Sequence, residues 1–135
     1  MLNKSKKILS EISAGELLDK ISILEIKFEK VKDKNYQKEI KKEYKILKEI
    51  QNSSIELTDK IKDLFQSVKN INIELWNIED KLRIHEKNKD FSKNFVELAR
   101  EVYFNNDKRA KIKSEINEIL ESNIREIKQY VDYKI

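Results

Sequence analysis

The side chains best able to do chemistry lie between Glu74 and Lys113, in the stretch ELWNIEDKLRIHEKNKDFSKNFVELAREVYFNNDKRAKIK. Arginine donates hydrogen bonds in a planar fork that matches phosphate and carboxylate groups. One hypothesis is therefore an anion site in this stretch, held by the cations Arg83, Arg100, Arg109 and Lys113. Carboxylates nearby would transfer protons or bind metal, and aromatic rings would stack on a sugar or base; these residues are Glu74, Glu79, Asp80, Trp76 and Tyr103.

Two polar residues interrupt the apolar spacing of the same stretch. Asn105 and Arg109 fall at positions of a four-three repeat where apolar residues are expected. A buried arginine is costly without a carboxylate or another anion. Arg109 therefore needs a partner, and Glu74 and Asp107 are the candidates.

Each of these residues also has a purely structural explanation. Asn105 and Arg109 fit a polar layer that fixes the register of packed helices, or an asparagine there caps a new helix and ends the repeat. The other arginines stand at the spacing of ordinary ion pairs on a helix surface: Arg83 with Glu79 or Glu86, and Arg100 with Glu97. Trp76 lies beside an apolar position, where tryptophan more often fills a core or an interface.

The residue counts weaken several enzyme classes. The chain has one histidine, one glycine and no cysteine. A ferritin-like di-metal site needs two Glu-x-x-His units, but Leu82 stands where the glutamate before His85 would be. One glycine cannot form a glycine-rich phosphate loop, and a thiolate metal site or cysteine nucleophile is excluded. We expect no cofactor and no bound metal.

Composition predicts long helices in one domain. The 135 residues include no proline, and 40% are charged. No apolar run approaches the ~18 residues of a membrane span, and no leader is evident, so we expect a soluble, cytoplasmic protein. The net charge of +4 is spread along the chain without a dense basic stripe, so nucleic acid is an unlikely partner.

The apolar periodicity predicts four helices, at residues 13–33, 36–51, 54–88 and 91–121. Ser13 with Glu16, and Ser53 with Glu56, have the spacing of capping boxes. Residues 1–12 are expected to form a flexible basic tail and 122–135 a second tail. The polar turn at residues 88–90 predicts that the third and fourth helices form an antiparallel hairpin.

The expected fold class is all-α, an antiparallel helical bundle built on a long coiled-coil-like helical hairpin. The third helix would reach about 50 Å, longer than a compact bundle of this size needs. An apolar stripe left uncovered along such a hairpin predicts a homo-oligomer, with a dimer favoured.

Three segments resemble a known family. They are GELLDKISILEIKFEKV at 15–31, ELWNIED at 74–80 and FVELAREVYFNNDKRAKIKSEIN at 95–117. Together they resemble the DUF6165 family, small proteins of bacteria and their phages. The resemblance implies a helical protein of this length and brings no established activity or binding residues.

Two functions fit these observations. The preferred one is a non-enzymatic helical interaction module that oligomerises through its apolar seams and presents polar faces to a protein partner. The alternative is binding, with or without hydrolysis, of a small anionic ligand such as a phosphorylated metabolite or nucleotide sugar in a polar pocket between the third and fourth helices. Its candidate residues are those above, including Asn105, Asp107, Arg109 and Lys113.

Overall fold

The computed structural model describes residues 6–134, which contain four helices and no strands: α1 Ala14–Lys30, α2 Lys34–Ser54, α3 Asp59–Lys87 and α4 Lys93–Ile119. The all-α class predicted from the sequence is confirmed. The predicted tails extend beyond the described part, because residues 1–5 and residue 135 lie outside it. Within residues 6–134, none of the helices is long and apolar enough to cross a membrane.

The first three helices begin at residues whose side chains accept backbone hydrogen bonds, whereas Ser92 before α4 does not. Ser13 Oγ accepts from the amide of Glu16 at 3.2 Å, and α1 starts at the next residue. Asp33 Oδ1 accepts from the amides of Asn35 and Tyr36, so α2 begins two residues before the predicted start at 36. Such caps satisfy amides that have no partner within the helix.

The boundary between α2 and α3 differs from the prediction. Ser53 does not cap a helix; its hydroxyl donates back to the carbonyl of Ile50 at 3.1 Å, and α2 continues to Ser54. The cap of α3 is Thr58, whose Oγ1 accepts from the amide of Ile61 at 3.3 Å. Two cap-like sequences therefore lie five residues apart, and the later one, followed by the acidic Asp59, starts the helix.

The core forms where α1 packs against α3 and α4. Leu18, Ile61, Leu64 and Ile116 are buried together there. In the described chain α1 contacts each of the other helices, whereas α2 contacts α1 alone. The four-three spacing of apolar residues in the sequence predicts the buried seam of α3 at Leu57, Ile61, Leu64, Val68, Ile71, Leu75, Ile78 and Leu82. Five of these residues are buried: Ile61, Leu64, Val68, Leu75 and Ile78. Between Val68 and Leu75, however, the buried residue is Asn72 rather than the predicted Ile71.

Side chains of α3 and α4 meet in opposite order along the two helices. His85 near the end of α3 lies 6.0 Å, ring centre to ring centre, from Phe95 near the start of α4. Asn72 meets Arg109, and Leu64 packs in one cluster with Ile116. The 29 residues of α3 extend for about 43 Å, against about 25 Å for the 17 residues of α1. Part of the α3–α4 pair therefore extends beyond the region where α1 packs.

Candidate functional site

A buried amide joins α3 to α1. Asn72 Nδ2 donates to Asp19 Oδ1 and to Ser22 Oγ, each at 2.8 Å. The Ser22 hydroxyl donates in turn to the carbonyl oxygen of Asp19 at 2.7 Å. All three residues are buried. A buried carboxylate needs such donors, because burial without them costs several kcal/mol.

Two cations of α4 extend this cluster. Arg109 Nη1 donates to Asn72 Oδ1 at 3.0 Å, so both ends of the Asn72 amide are hydrogen bonded. Lys113 Nζ lies 3.4 Å from Asp19 Oδ2. We call Asp19, Ser22, Asn72, Arg109 and Lys113 the polar layer. It spans α1, α3 and α4 at the level where the three helices meet.

Lys113 lies among three carboxylates. Besides Asp19, its Nζ lies 2.7 Å from Glu16 Oε2 and 3.4 Å from Glu126 Oε2. Burial works to lower the pKa of Lys113, but the hydrogen bond to Glu16 and the charges of Asp19, Glu16 and Glu126 outweigh it, so the pKa is raised. The charge of Lys113 in turn lowers the pKa of Glu126. A protonated lysine thus occupies the position that a bound cation would otherwise take.

The start of α1 approaches the backbone of α4 closely. The amide of Gly15 donates to Asn117 Oδ1 at 2.7 Å, and the amide of Ala14 donates to Ser122 Oγ at 3.0 Å. A Cβ atom at Gly15 would lie 2.6 Å from the carbonyl oxygen of Lys113. The close contact between α1 and α4 therefore requires glycine at position 15.

A cleft of about 1110 Å³ separates α4 from the C-terminal segment, residues 122–134. The Tyr133 hydroxyl donates to Asp107 across it, and that hydrogen bond raises the pKa of Tyr133 to about 12. The ring of Tyr133 also lies 5.5 Å from that of Tyr103 and 5.6 Å from that of Phe104. Of the residues predicted to form a site, only Asp107 and Lys113 line this cleft.

The four predicted cations have separate partners. Arg83 pairs with Glu79 at 2.7 Å on the surface of α3, and Arg100 pairs with Glu97 at 3.3 Å on the surface of α4. Arg100 also lies over the Phe104 ring, 5.5 Å from its centre. Since Arg109 binds Asn72 and Lys113 binds Glu16, these four groups do not point into one cavity. The four cations therefore do not form a common anion pocket in this structure.

The remaining predicted residues are dispersed along the two helices. Glu74 and Asp80 are exposed, and Trp76 is half-buried on α3. Asn105 is half-buried, and its Nδ2 donates to the carbonyl of Glu101 at 2.8 Å. In the described part of the chain, the buried Oδ1 of the neighbouring Asn106 has no hydrogen-bond partner.

The predicted partners of Arg109, Glu74 and Asp107, are wrong. Its guanidinium binds Asn72 rather than Glu74 or Asp107, because the buried carboxylate that anchors the layer belongs to α1. Sequence reasoning missed Asp19, Ser22 and Asn72. One signal was present: Gly15, Asp19 and Ser22 are spaced by four and three residues, so they share a face of α1 beside its apolar seam.

The arrangement is suited to holding helices in register more than to reacting with a substrate. The side chains of the layer bind one another, and Asn72 and Asp19 are buried. Within residues 6–134, no three histidine, cysteine or acidic side chains are grouped so as to hold a metal ion. Lys113 is the residue of the polar layer that lines the cleft. Its ion pair with Glu126 connects the layer to the C-terminal segment.

Comparisons with known proteins give the family. Neither the curated proteins nor the solved structures include a match to this chain. The sequence profile of DUF6165, a family of unknown function, matches residues 8–133. The match covers nearly the whole chain, and the chain therefore belongs to the DUF6165 family.

Proposed function

We propose that this protein is a non-enzymatic helical interaction module, in which α3 and α4 form an antiparallel, coiled-coil-like hairpin that pairs with a second copy of the chain. One observation carries the proposal. None of residues 79–112 is buried, although α3 continues to Lys87 and α4 begins at Lys93. The contacts of His85 with Phe95, and of Asn72 with Arg109, support the antiparallel direction.

Residues 79–105 form the distal hairpin, and its apolar side chains are incompletely covered. Those of its seam are half-buried: Leu82, Phe95, Leu98 and Val102. Three others are largely in solvent, with exposed fractions of 58% for Ile84, 55% for Phe91 and 49% for Val96. Isolated helices owe little stability to propensity and depend on packing of an apolar face. Contact with a second hairpin would supply that packing.

The charges of the distal hairpin favour a second copy of the chain over a partner whose surface charges are mainly of one sign. It carries six basic and six acidic residues, so two identical surfaces can meet without net repulsion. Acidic residues next to basic ones also allow each hairpin to pair charges with its copy, as helices of a coiled coil do.

The exposed area also supports pairing. The accessible surface is 10477 Å², whereas a compact monomer of 16.2 kDa exposes about 7,500 Å². Both the terminal segments and the protruding hairpin contribute to this excess. A standard interface takes about 800 Å² from each partner, well within it.

Measurement of mass in solution tests the proposal. Light scattering coupled to size exclusion should give about 32 kDa, twice the 16.2 kDa of one chain, at micromolar concentration. Ile84→Glu and Val96→Glu change side chains that are exposed in the monomer, so each variant should fold, as circular dichroism would verify, and should elute as a monomer. The matched control is Ile46→Glu, at an equally exposed isoleucine of α2, which should remain dimeric.

A strict monomer at every concentration up to several hundred micromolar would overturn the proposal. So would a dimer that both hairpin variants leave intact, because the interface would then lie elsewhere.

A further inference from the structure

Six lysines lie along one side of α2. Lys34, Lys38, Lys41, Lys45 and Lys48 are spaced by four, three, four and three residues, and Lys42 lies beside them. At about 100° per residue, all six fall within about a third of the helix circumference. We call these six residues the lysine stripe. Its length along the axis is about 21 Å, from 14 steps of about 1.5 Å.

Most of the stripe faces solvent. Ile40 and Gln51, the buried residues of α2, lie outside its arc, and among the described helices α2 contacts α1 alone. At one edge of the stripe, Lys41 Nζ lies over the Phe28 ring of α1, 5.2 Å from its centre. All stripe lysines are exposed except Lys48, which is half-buried and donates to Gln51. The helix is thus an outer layer of the molecule whose solvent side is basic.

These lysines are not neutralised within the described chain. Ion pairs form in and between α1, α3, α4 and the C-terminal segment, but none joins a residue of α2. The helix holds six lysines and three glutamates, a balance of +3 out of the +4 of the whole chain. Glu39 and Glu43 lie outside the arc of the stripe, and Glu49 lies near its end. The prediction that the net positive charge is spread along the chain without a dense basic stripe is therefore wrong for the solvent side of α2.

We propose that the lysine stripe binds the phosphate backbone of a double-stranded nucleic acid without reading its bases. Lysine is a flexible point charge that suits phosphates, and it lacks the rigid planar fork with which arginine makes paired hydrogen bonds. Duplex DNA presents one negative charge per about 1.7 Å of axis, so a stripe about 21 Å long meets enough phosphates for every lysine. The proposal concerns a different surface from the distal hairpin and stands or falls separately.

The arc of the stripe favours nucleic acid over a membrane surface. Apart from the lysines it contains Glu49 and Asn52, and no apolar side chain that could enter the acyl boundary. A helix that lies in a bilayer interface places apolar residues between its lysines and the lipid. The exposed Ile46 and Ile50 lie on a flank of α2, outside the stripe.

Fluorescence anisotropy with a labelled 24-base-pair duplex DNA of mixed sequence tests the proposal over 50–300 mM KCl. About five phosphate contacts predict a slope of about −4.5 for log K against log salt. The variant K34Q/K38Q/K45Q removes three stripe lysines that have no side-chain hydrogen bond or ion pair within residues 6–134. It should make the slope less steep, at about −2. At 0.1 M salt its affinity should be on the order of 100-fold weaker.

The matched control is K60Q/K62Q/K81Q, which removes the same charge from exposed lysines of α3. It should keep the slope and most of the affinity. Equal losses in the two triple variants would overturn the proposal, because general positive charge would then explain binding.

Absence of DNA binding at 50 mM KCl would also overturn the proposal, as would binding to vesicles containing 30% phosphatidylserine but not to the duplex. A second duplex of different sequence should bind within about threefold; a tenfold preference would refute readout by the backbone alone.

Discussion

Replacement of Asn72 by leucine is the sharpest test of the polar layer. Asn72 binds both other helices through one neutral side chain, since it donates to Asp19 and Ser22 of α1 and accepts from Arg109 of α4. Leucine is of similar size but makes no hydrogen bonds. The change therefore leaves a buried carboxylate oxygen and a buried hydroxyl without their donor, with little change in packing volume.

The loss can be estimated from the contacts. A hydrogen bond to a charged group contributes roughly 1.5–3 kcal/mol and a neutral one roughly 1, so removal of the bonds to Asp19, Ser22 and Arg109 costs at least about 4 kcal/mol. Burial of the leucine side chain returns up to about 2 kcal/mol. The free energy of unfolding should therefore fall by at least about 2 kcal/mol. That is a large share of the roughly 5–15 kcal/mol that stabilises a typical domain.

Urea denaturation at one fixed protein concentration measures this change. Asn77→Leu is the matched control, because Asn77 is on the same helix but exposed, and it should alter the free energy of unfolding by less than about 0.5 kcal/mol. A double-mutant cycle with Arg109→Ala adds a second readout. The Arg109 guanidinium acts through Asn72, so the double variant should match Asn72→Leu alone within about 0.5 kcal/mol.

Two results would refute this account of the layer. One is an Asn72→Leu protein as stable as the wild type, since the hydrogen bonds would then contribute nothing beyond what an apolar contact supplies. The other is full additivity with Arg109→Ala, since Arg109 would then stabilise the fold through some other contact.

Two further predictions concern the contacts of α4. Gly15→Ala should lower the free energy of unfolding by about 2 kcal/mol in the same assay, because its Cβ would lie 2.6 Å from the Lys113 carbonyl oxygen and the helices would have to move apart. Absorbance titration at 295 nm should show a tyrosine that ionises near pH 12, and Asp107→Asn should move that transition towards 10. The pKa of Tyr133 is raised in the folded state, so its hydrogen bond contributes fully below about pH 10 and is lost as the pH rises through about 12.

Their controls use neighbouring or equivalent residues. Alanine normally stabilises a helix relative to glycine by up to about 1 kcal/mol, so a Gly15→Ala protein of equal or greater stability would contradict the close approach of α1 to α4. Tyr133→Phe should abolish the transition near pH 12, whereas Tyr36→Phe, at an exposed tyrosine, should leave it in place. If all five tyrosines of the wild type titrate together near pH 10, the contact with Asp107 does not form in solution.

The sequence predicted the helices well because their periodicity depends only on local spacing. Leu17, Ile21 and Leu24 recur on one face of α1, and the structure buries all three. The same reasoning is correct for five positions of the α3 seam, from Ile61 to Ile78. Boundaries were less accurate where two cap-like sequences compete, as Ser53 and Thr58 do, because the choice depends on what the helix packs against.

The partners within the polar layer could not be predicted in the same way. Asn72 was missed because its apolar neighbour Ile71 fits the four-three repeat and was assigned the inward position. Its main partner, Asp19, is 53 residues earlier in the chain, and spacing along one helix gives no distance to another. The lysine stripe is different, since its four-three spacing is legible in the sequence. Charge counted along the chain concealed it, because such a count averages over all faces of each helix.

The polar layer also bears on the proposed dimer. An interface of α1 with α3 and α4 made only of leucine and isoleucine would tolerate a slip of one turn, since apolar side chains are interchangeable there at modest cost. A slip would move Asn72 away from Asp19 and leave that carboxylate buried without its donor, at a cost of several kcal/mol. The layer thus sets how far α3 and α4 extend past α1. The length and exposed face of the distal hairpin follow from that register, so we expect Asn72→Leu to weaken self-association as well as to destabilise the fold.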